Sequence, residues 1–456
     1  MIDDGVTAMN GAVLDAAAAT DLRLVRFLYC DLGGLVRGKA THASHLASRM
    51  GDGIALTRAQ MAMNALDELQ GIPGMTAVGE VRIVPDPESF VVLPYAAKTG
   101  AMFSSLIDLN QEPWAACPRS FLRRVIADAA RLGLRAETAF ELEFFLGRVV
   151  DGGYEPVDRS RCFSSAGMNS TAAFMDGLIA ALEAQGIEVE QAMAEYGPGQ
   201  QEISIRHADA LRSADRHLWT KETVKAIASQ HGYVASFAPK PFPDEIGSGG
   251  HLHLSLWDTE TDKNALYDPE SPSELSHLGT RFVAGLLAHL PALSAITCPT
   301  VNSYRRLQPH AWASAFVCYG FDNREAAVRI PSTFWGNPAA STNIELKTVD
   351  NSSNPYLALG TVIAAGLDGI ARELDPGPPL DVDPGLLDEA ERERRGYARL
   401  PSSLDAALDA LEADAVITKA LGPELTQAYV AVRRSEAAAY RDQPEAIEFA
   451  DHFARY

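Results

Sequence analysis

Apolar and acidic residues alternate through FELEF at 140–144, within AFELEFFL, and this alternation constrains the fold more than any other stretch of the chain. In a β-strand successive side chains point to opposite faces. Glu141 and Glu143 therefore share one surface, while Phe140, Leu142 and Phe144 enter a core on the other. The same period recurs twice. It sets Glu202, Ser204 and Arg206 against Ile203 and Ile205, and His251, His253 and Ser255 against Leu252 and Leu254. Glu195, which opens EYGPGQQE, and Glu345 in NIELKTVD add two further carboxylates.

Carboxylates converging on one cavity repel one another and lose hydration, so cations must neutralise them. Hard oxygen donors with a single imidazole suit Mg²⁺ or Mn²⁺ rather than structural zinc. A lone E-x-E or H-x-H is also what a solvated strand face looks like. The metal reading gains its force from the phrases that accompany these pairs.

At 456 residues the chain has room for two or three domains, and its 47% hydrophobic content supplies a large core. A net charge of −21 with no basic stripe disfavours a nucleic-acid partner. The opening MIDDGVTAMNGAVLDAAAATD has no basic n-region, and no run approaches the roughly eighteen apolar residues of a membrane span. A cytoplasmic protein with no membrane partner is expected. Cys30, Cys117, Cys162, Cys298 and Cys318 are odd in number and lack C-x-x-C spacing, as for buried thiols in a reducing compartment.

Residues 22–42 read as two strands joined at Gly33-Gly34. The turn nearly spells a phosphate-binding loop, but Ala40 stands where that loop needs a hydroxyl, so a β-turn is expected. Further strands are expected at 80–84 and 89–94, on either side of Pro85-Asp86-Pro87. A proline-containing segment at 108–118 leads into a helix ending at Gly133, which marks a domain boundary. Beyond it, helices are expected at 169–185, 208–231, 273–295 and 354–374, with amphipathic helices at 404–421 and 423–441. ELDPGPPLDVDPG at 373–385 reads as an exposed loop.

Taken in order, the phrases resemble the glutamine synthetase family. The match runs through ELEFFL at 141–146, E-x6-E with inner G-P-G-Q at 195–202, and GSGGHLHLS at 247–255. It continues through N-S-Y-R-R-L-x-P at 302–309, N-R-x-A-x-x-R-I-P at 323–331, and E-L-K-x-x-D-x-x-x-N-P-Y-L at 345–357. The resemblance implies an α+β fold. A small β-rich, β-grasp-like N-terminal domain (1–108) would precede a large catalytic domain (112–456), an open antiparallel β-barrel flanked by helices. It further implies a homo-oligomer, a dodecamer of two stacked hexameric rings with each active site shared between subunits.

By the same resemblance, ATP phosphorylates the glutamate γ-carboxylate, and an amine displaces the phosphate. Roughly two to three Mg²⁺ or Mn²⁺ ions per site would serve that chemistry. Glu143, Glu195 and Glu202 match the ligands of the ion nearest the amino acid, and Glu141, His251 and Glu345 those of the ion bridging ATP phosphates. Arg306, Arg324 and Arg329 match arginines that bind glutamate or stabilise the phosphoryl group. His253 and Ser255 match nucleotide contacts, and Gly247 matches the glycine whose backbone touches glutamate.

The chain departs from that pattern at several positions. Where ammonia-using members carry a proton-accepting glutamate, this chain has Trp312. Where they carry the N-terminal-domain aspartate that helps bind ammonium, GDGIALTRAQ offers Thr57 or Arg58. Lys347 replaces an arginine and Ile246 an asparagine. Ammonium needs negative partners before it can be stripped of water and deprotonated. An aromatic ring instead packs against carbon or holds a cationic head. The expected activity is therefore ligation of glutamate to an organic amine such as a polyamine, ethanolamine, alkylamine or aniline. The alternatives are true glutamine synthetase or a non-catalytic homologue.

Overall fold

The structure is a computed structural model that describes residues 4–456. Its N-terminal sheet comprises β1 (Leu24–Cys30), β2 (Val36–His42), β3 (Ile54–Thr57), β4 (Glu80–Pro85), β5 (Val91–Val92) and β6 (Thr99–Ile107). The order is β2-β1-β6-β4-β3 with β5 on β6, and all pairs are antiparallel except β1 with β6. The hairpin turns at Gly33-Gly34 as expected. Gly34 has φ +79°, and a Cβ there would lie 2.3 Å from the Ser352 carbonyl oxygen, so the turn seats on the C-terminal domain only as glycine. Two strand expectations need correction. The strand at 89–94 shrinks to Val91–Val92 because Asp86 caps a 3-10 turn at Pro87–Ser89. The central strand β6 was not anticipated: Thr99–Ser104 is buried on both faces and shows no alternation. A helix at Asp4–Ala19 was likewise not foreseen.

The spine of the larger, C-terminal domain is the long strand β7 (Leu134–Val150). It is followed by β8 (Gly153–Pro156), β9 (Val189–Ala194), β10 (Gln200–Ile205), β11 (Ala208–Asp209), β12 (Val234–Ser236), β13 (Leu252–Asp258), β14 (Tyr319–Phe321), β15 (Val328–Ile330) and β16 (Ile344–Leu346). The sheet runs β14-β15-β16-β13-β7-β10-β9, with β8, β11 and β12 also on β7. It is antiparallel except at β14 with β15, and it curls into a nearly closed barrel-like wall. Phe140, Leu142 and Phe144 are buried while Glu141 and Glu143 face the other way, as the alternation requires.

Helices at Pro118–Arg131, Ala210–Gln230, His277–Thr297 and Pro355–Ala371 pack around this wall. The helix expected at 169–185 begins only at Ala172, after a separate short helix at Ser165–Ser170. The single helix expected at 404–421 is two, Leu404–Ala413 and Ala415–Leu421. Asp414 leaves the helical region, and its carboxylate accepts hydrogen bonds from the Val416 and Ile417 N–H groups, capping the second. His277–Thr297 is long and apolar enough to cross a membrane, yet it is mostly buried against Pro355–Ala371. Four of the cysteines are buried as expected, but Cys162 is only partly covered.

Buried polar contacts lock the two domains. Arg433 Nη1 meets Glu436 Oε2 at 2.7 Å, and Glu436 Oε1 accepts the Ala65 N–H at 2.8 Å. Asn354 Nδ2 donates to the Asp31 carbonyl at 2.9 Å.

Within the larger domain, a buried ion cluster is pH-sensitive. His289 Nδ1 lies 2.6 Å from Asp414 Oδ2, and its Nε2 lies 3.0 Å from Asp368 Oδ2, which also pairs with Arg372. Burial opposes the imidazolium, but the bonds to Asp414 and Asp368 outweigh it and raise the histidine pKa. A raised folded pKa gives stability that is fully present below the unfolded value of about 6.5 and lost as pH rises through the folded one. The unfolding temperature is expected to decline as pH climbs past neutrality, with a shallower decline in His289→Gln. An identical slope in the variant would contradict this role.

Candidate active site

Register, added to alternation, gathers the acids. β10 pairs with β7 so that Glu202 stands opposite Glu143 and Ser204 opposite Glu141. The backbone bond from Glu195 N to Gln200 O, 2.9 Å, folds the G-P-G-Q turn back and brings Glu195 to Glu202. Burial, reinforced by Glu141, Glu143 and Glu195, pushes the Glu202 carboxyl up to about 9. Burial and Glu143 likewise raise Glu195. Glu143 itself is fixed: its Oε2 accepts from Gly249 N at 2.7 Å and from Gln200 Nε2 at 3.0 Å.

A second group forms where β13, β15 and β16 meet. His253 and Arg329 both stand opposite Glu345 in register. Donor atoms of Glu141, His253 and Glu345 all lie within 4.8 Å of one another. His251 Nδ1 approaches Glu141 Oε2 at 3.1 Å and Glu345 Oε1 at 3.5 Å. Both imidazoles therefore face the same two carboxylates, His253 Nε2 lying 3.2 Å from Glu141 Oε1. Burial works against its charge, but Glu141 and then Glu345 raise His253 to about 9. Burial pushes Glu345 upward, but Lys347, His253 and His251 hold it down to about 2. The donor set is hard oxygen with imidazole, and the crowding that raises Glu202 is what a divalent cation relieves, so these residues fit Mg²⁺ or Mn²⁺.

Arg306 lies buried beneath the Gly247 backbone. A Cβ on Gly247 would come within 2.6 Å of Arg306 Cγ, so glycine permits the close approach. Arg306 donates to the Val349 carbonyl at 3.1 Å and the Lys347 carbonyl at 3.3 Å, and its Nη2 meets His251 Nε2 at 3.3 Å. Arg329 Nη1 pairs with Glu345 Oε2 at 2.7 Å, and Lys347 Nζ reaches Glu345 Oε1 at 3.5 Å.

Three of the residues singled out in the sequence stand apart from this group. Arg324 is exposed on the turn between β14 and β15. Trp312 is 61% exposed, with φ +53°. Ser255 lies further along β13 opposite Glu137, where it accepts from Trp257 Nε1 at 2.9 Å. Sequence reasoning missed Asn351, which donates to the Glu143 and Gly249 carbonyls at 3.0 and 2.6 Å, and Asn343, 2.8 Å from His253 Nδ1. It also passed over Gln200. Its signal was an amide two residues before the ligand-type Glu202 on the same strand.

A barrel-like wall carrying clustered carboxylates, paired imidazoles and inward arginines, joined to a small N-terminal sheet, is a set of donors suited to divalent cations. Residues 9–114 match the glutamine synthetase N-terminal domain and residues 115–452 the glutamine synthetase catalytic domain. The chain belongs to the glutamine synthetase family and is a ligase of that family. It is 37% identical to the gamma-glutamylpolyamine synthetase of Streptomyces coelicolor, over 90% of this chain and 88% of that one. It is 36% identical to a glutamine synthetase of Mycobacterium tuberculosis, over 94% and 95% of the two chains. Among solved structures, a glutamine synthase homologue superposes with TM-score 0.85 at 33% identity, covering 95% of this chain and 99% of the other. A GmaS/ADP complex superposes with TM-score 0.83 at 31% identity, covering 95% and 97%.

Proposed function

We propose that the protein joins the γ-carboxylate of glutamate to an organic primary amine through a γ-glutamyl phosphate. A carboxylate does not condense with an amine in water because hydroxide leaves poorly, whereas phosphate leaves well. In this reading Glu143, Glu195 and Glu202 hold one Mg²⁺ or Mn²⁺ ion. Glu141 and Glu345 hold a second with His251, and His253 stands close enough to share that task. The ions neutralise phosphate charge. Arg306 and the Gly247 backbone receive glutamate beside Lys347, Arg329 steadies Glu345 and the phosphoryl oxygens, and Arg324 closes over the transferring group. His253 and Ser255 face the nucleotide. The working form is a cytoplasmic dodecamer of two hexameric rings, with the N-terminal domain completing a neighbour's site.

The observation that carries the amine assignment is Trp312, an exposed ring where ammonia-using members have a carboxylate. The corresponding N-terminal-domain position carries Thr57 or Arg58. Thr57 Oγ1 donates to the Thr76 carbonyl at 3.3 Å, and Arg58 lies over the Trp114 ring. Likeness to a gamma-glutamylpolyamine synthetase supports the same reading. Ammonium is the second reading, favoured by the comparable identity to mycobacterial glutamine synthetases.

Burial of the acceptor's carbon contributes roughly 25 cal/mol per Å², which ammonium lacks. Trp312→Ala is therefore expected to raise the KM for the amine. Trp312→Glu combined with Thr57→Asp is expected to shift preference toward ammonium. An amine KM unchanged by Trp312→Ala would contradict the assignment.

A further inference from the structure

An acceptor nitrogen reaches the enzyme as an ammonium and must lose a proton before its lone pair attacks, yet position 312 offers no carboxylate to take it. We infer that Glu325 is that base, holding the cationic head of a primary amine beside the Trp312 ring and accepting its proton. The inference rests on the amine-ligase reading above.

Glu325 lies on the turn between β14 and β15, and its side chain folds back onto the loop that carries Trp312. Its Oε1 accepts the Trp312 backbone N–H at 2.8 Å, and among the described residues no hydrogen bond reaches Oε2. The loop is held in an unusual shape. His310, Trp312 and Ser314 have φ of +60°, +53° and +64°, a left-handed conformation that non-glycine residues rarely adopt and that clusters at functional sites. Ser314 Oγ donates to the Ala326 carbonyl at 2.8 Å, a second tie between loop and turn. The turn is in turn fastened to the ligand strand, because Lys347 N donates to the Ala327 carbonyl at 2.9 Å and Arg329 stands opposite Glu345. Glu325 is thus tied through its turn to the strand pair that carries Glu345, and it is none of the carboxylates proposed to hold cations.

The groups that face it are Asp383, His310 and Lys347, His310 and Asp383 pairing at 2.7 Å. Burial, aided by Asp383, lifts the Glu325 carboxyl above the ordinary range, while the Trp312 bond, His310 and Lys347 pull it down. A carboxylate shifted upward is a better proton acceptor near neutrality. A negative oxygen tied to the backbone of an exposed tryptophan also suits a cation that carries carbon.

The step balances as follows. Glu325 takes one proton from the R–NH₃⁺ head, and the freed lone pair forms the C–N bond at the acyl carbon of γ-glutamyl phosphate. The C–O bond to phosphate breaks with its electron pair passing to phosphate, which carries away the second nitrogen proton.

The test compares wild type, Glu325→Gln and Glu325→Asp. The nucleophiles are whichever of putrescine, ethanolamine or ethylamine has the highest kcat/KM, and hydroxylamine, which is uncharged at neutral pH and needs no prior deprotonation. Glu325→Gln is expected to lower kcat with the amine by about 10²–10⁴-fold and to slow hydroxylamine far less, with partial rescue in Glu325→Asp. A purely structural role at Trp312 would slow both nucleophiles equally, so an equal loss, or full amine activity in Glu325→Gln, overturns the inference. Should wild type accept ammonium alone, the amine-ligase reading falls, and the same comparison with ammonium against hydroxylamine decides Glu325. Turnover of no nucleophile by wild type overturns both.

Discussion

Glu143→Ala is expected to remove glutamate-dependent ADP release while leaving the protein folded. The side chain lies among polar groups, with Glu202 opposite it in register and Glu195 close by. Its loss therefore opens no gap in the apolar core formed by Phe140, Leu142 and Phe144 on the other face. What goes is a carboxylate held in place by Gly249 N and Gln200 Nε2. A catalytic cation supplies several kcal/mol of charge stabilisation, and each 1.36 kcal/mol is about tenfold in rate, so a fall of at least about 10³ is expected. A coupled ADP assay beside a thermal melt checks it. A folded variant with undiminished turnover would remove Glu143 from the cation site.

Arg324→Lys is the second large effect. Arg324 is exposed on its turn, so the substitution disturbs no packing. A lysine keeps the charge but loses the planar fork that matches phosphoryl oxygens. Removing one donor aimed at developing charge typically costs about 10²–10³ in kcat, and the KM for ATP should change less. Normal turnover in Arg324→Lys would place the transferring group elsewhere.

Much of the site is legible in the sequence wherever one strand carries it. The period of two in ELEFF positions Glu141 and Glu143 on a common face, and HLHLS does the same for His251 and His253. That both imidazoles reach Glu345 is another matter, since that depends on β13 meeting β16 with His253 opposite Glu345. Register between strands some ninety residues apart leaves no local trace. Elements buried on both faces were also hidden: β6 has no alternation to read, although it is the centre of its sheet. The break at Asp414 carried a signal, a capping aspartate within an amphipathic run, which helical periodicity overrode. Glu325 occupies the variable position of N-R-x-A-x-x-R-I-P. Its relation to Trp312 exists only because the 310–314 loop folds back over the β14–β15 turn, and that is tertiary information.

The choice of acceptor is what separates the amine-ligase proposal from a glutamine synthetase. The direct measurement is ADP release with ATP, Mg²⁺ and glutamate, using ammonium in one arm and putrescine, ethanolamine, ethylamine and aniline in the others, with the product amide identified by mass. The expected result is negligible turnover with ammonium and γ-glutamyl amide formation with at least one organic amine. Efficient glutamine formation from ammonium, with no organic amine doing better, would contradict the assignment of Trp312 and restore an ordinary glutamine synthetase.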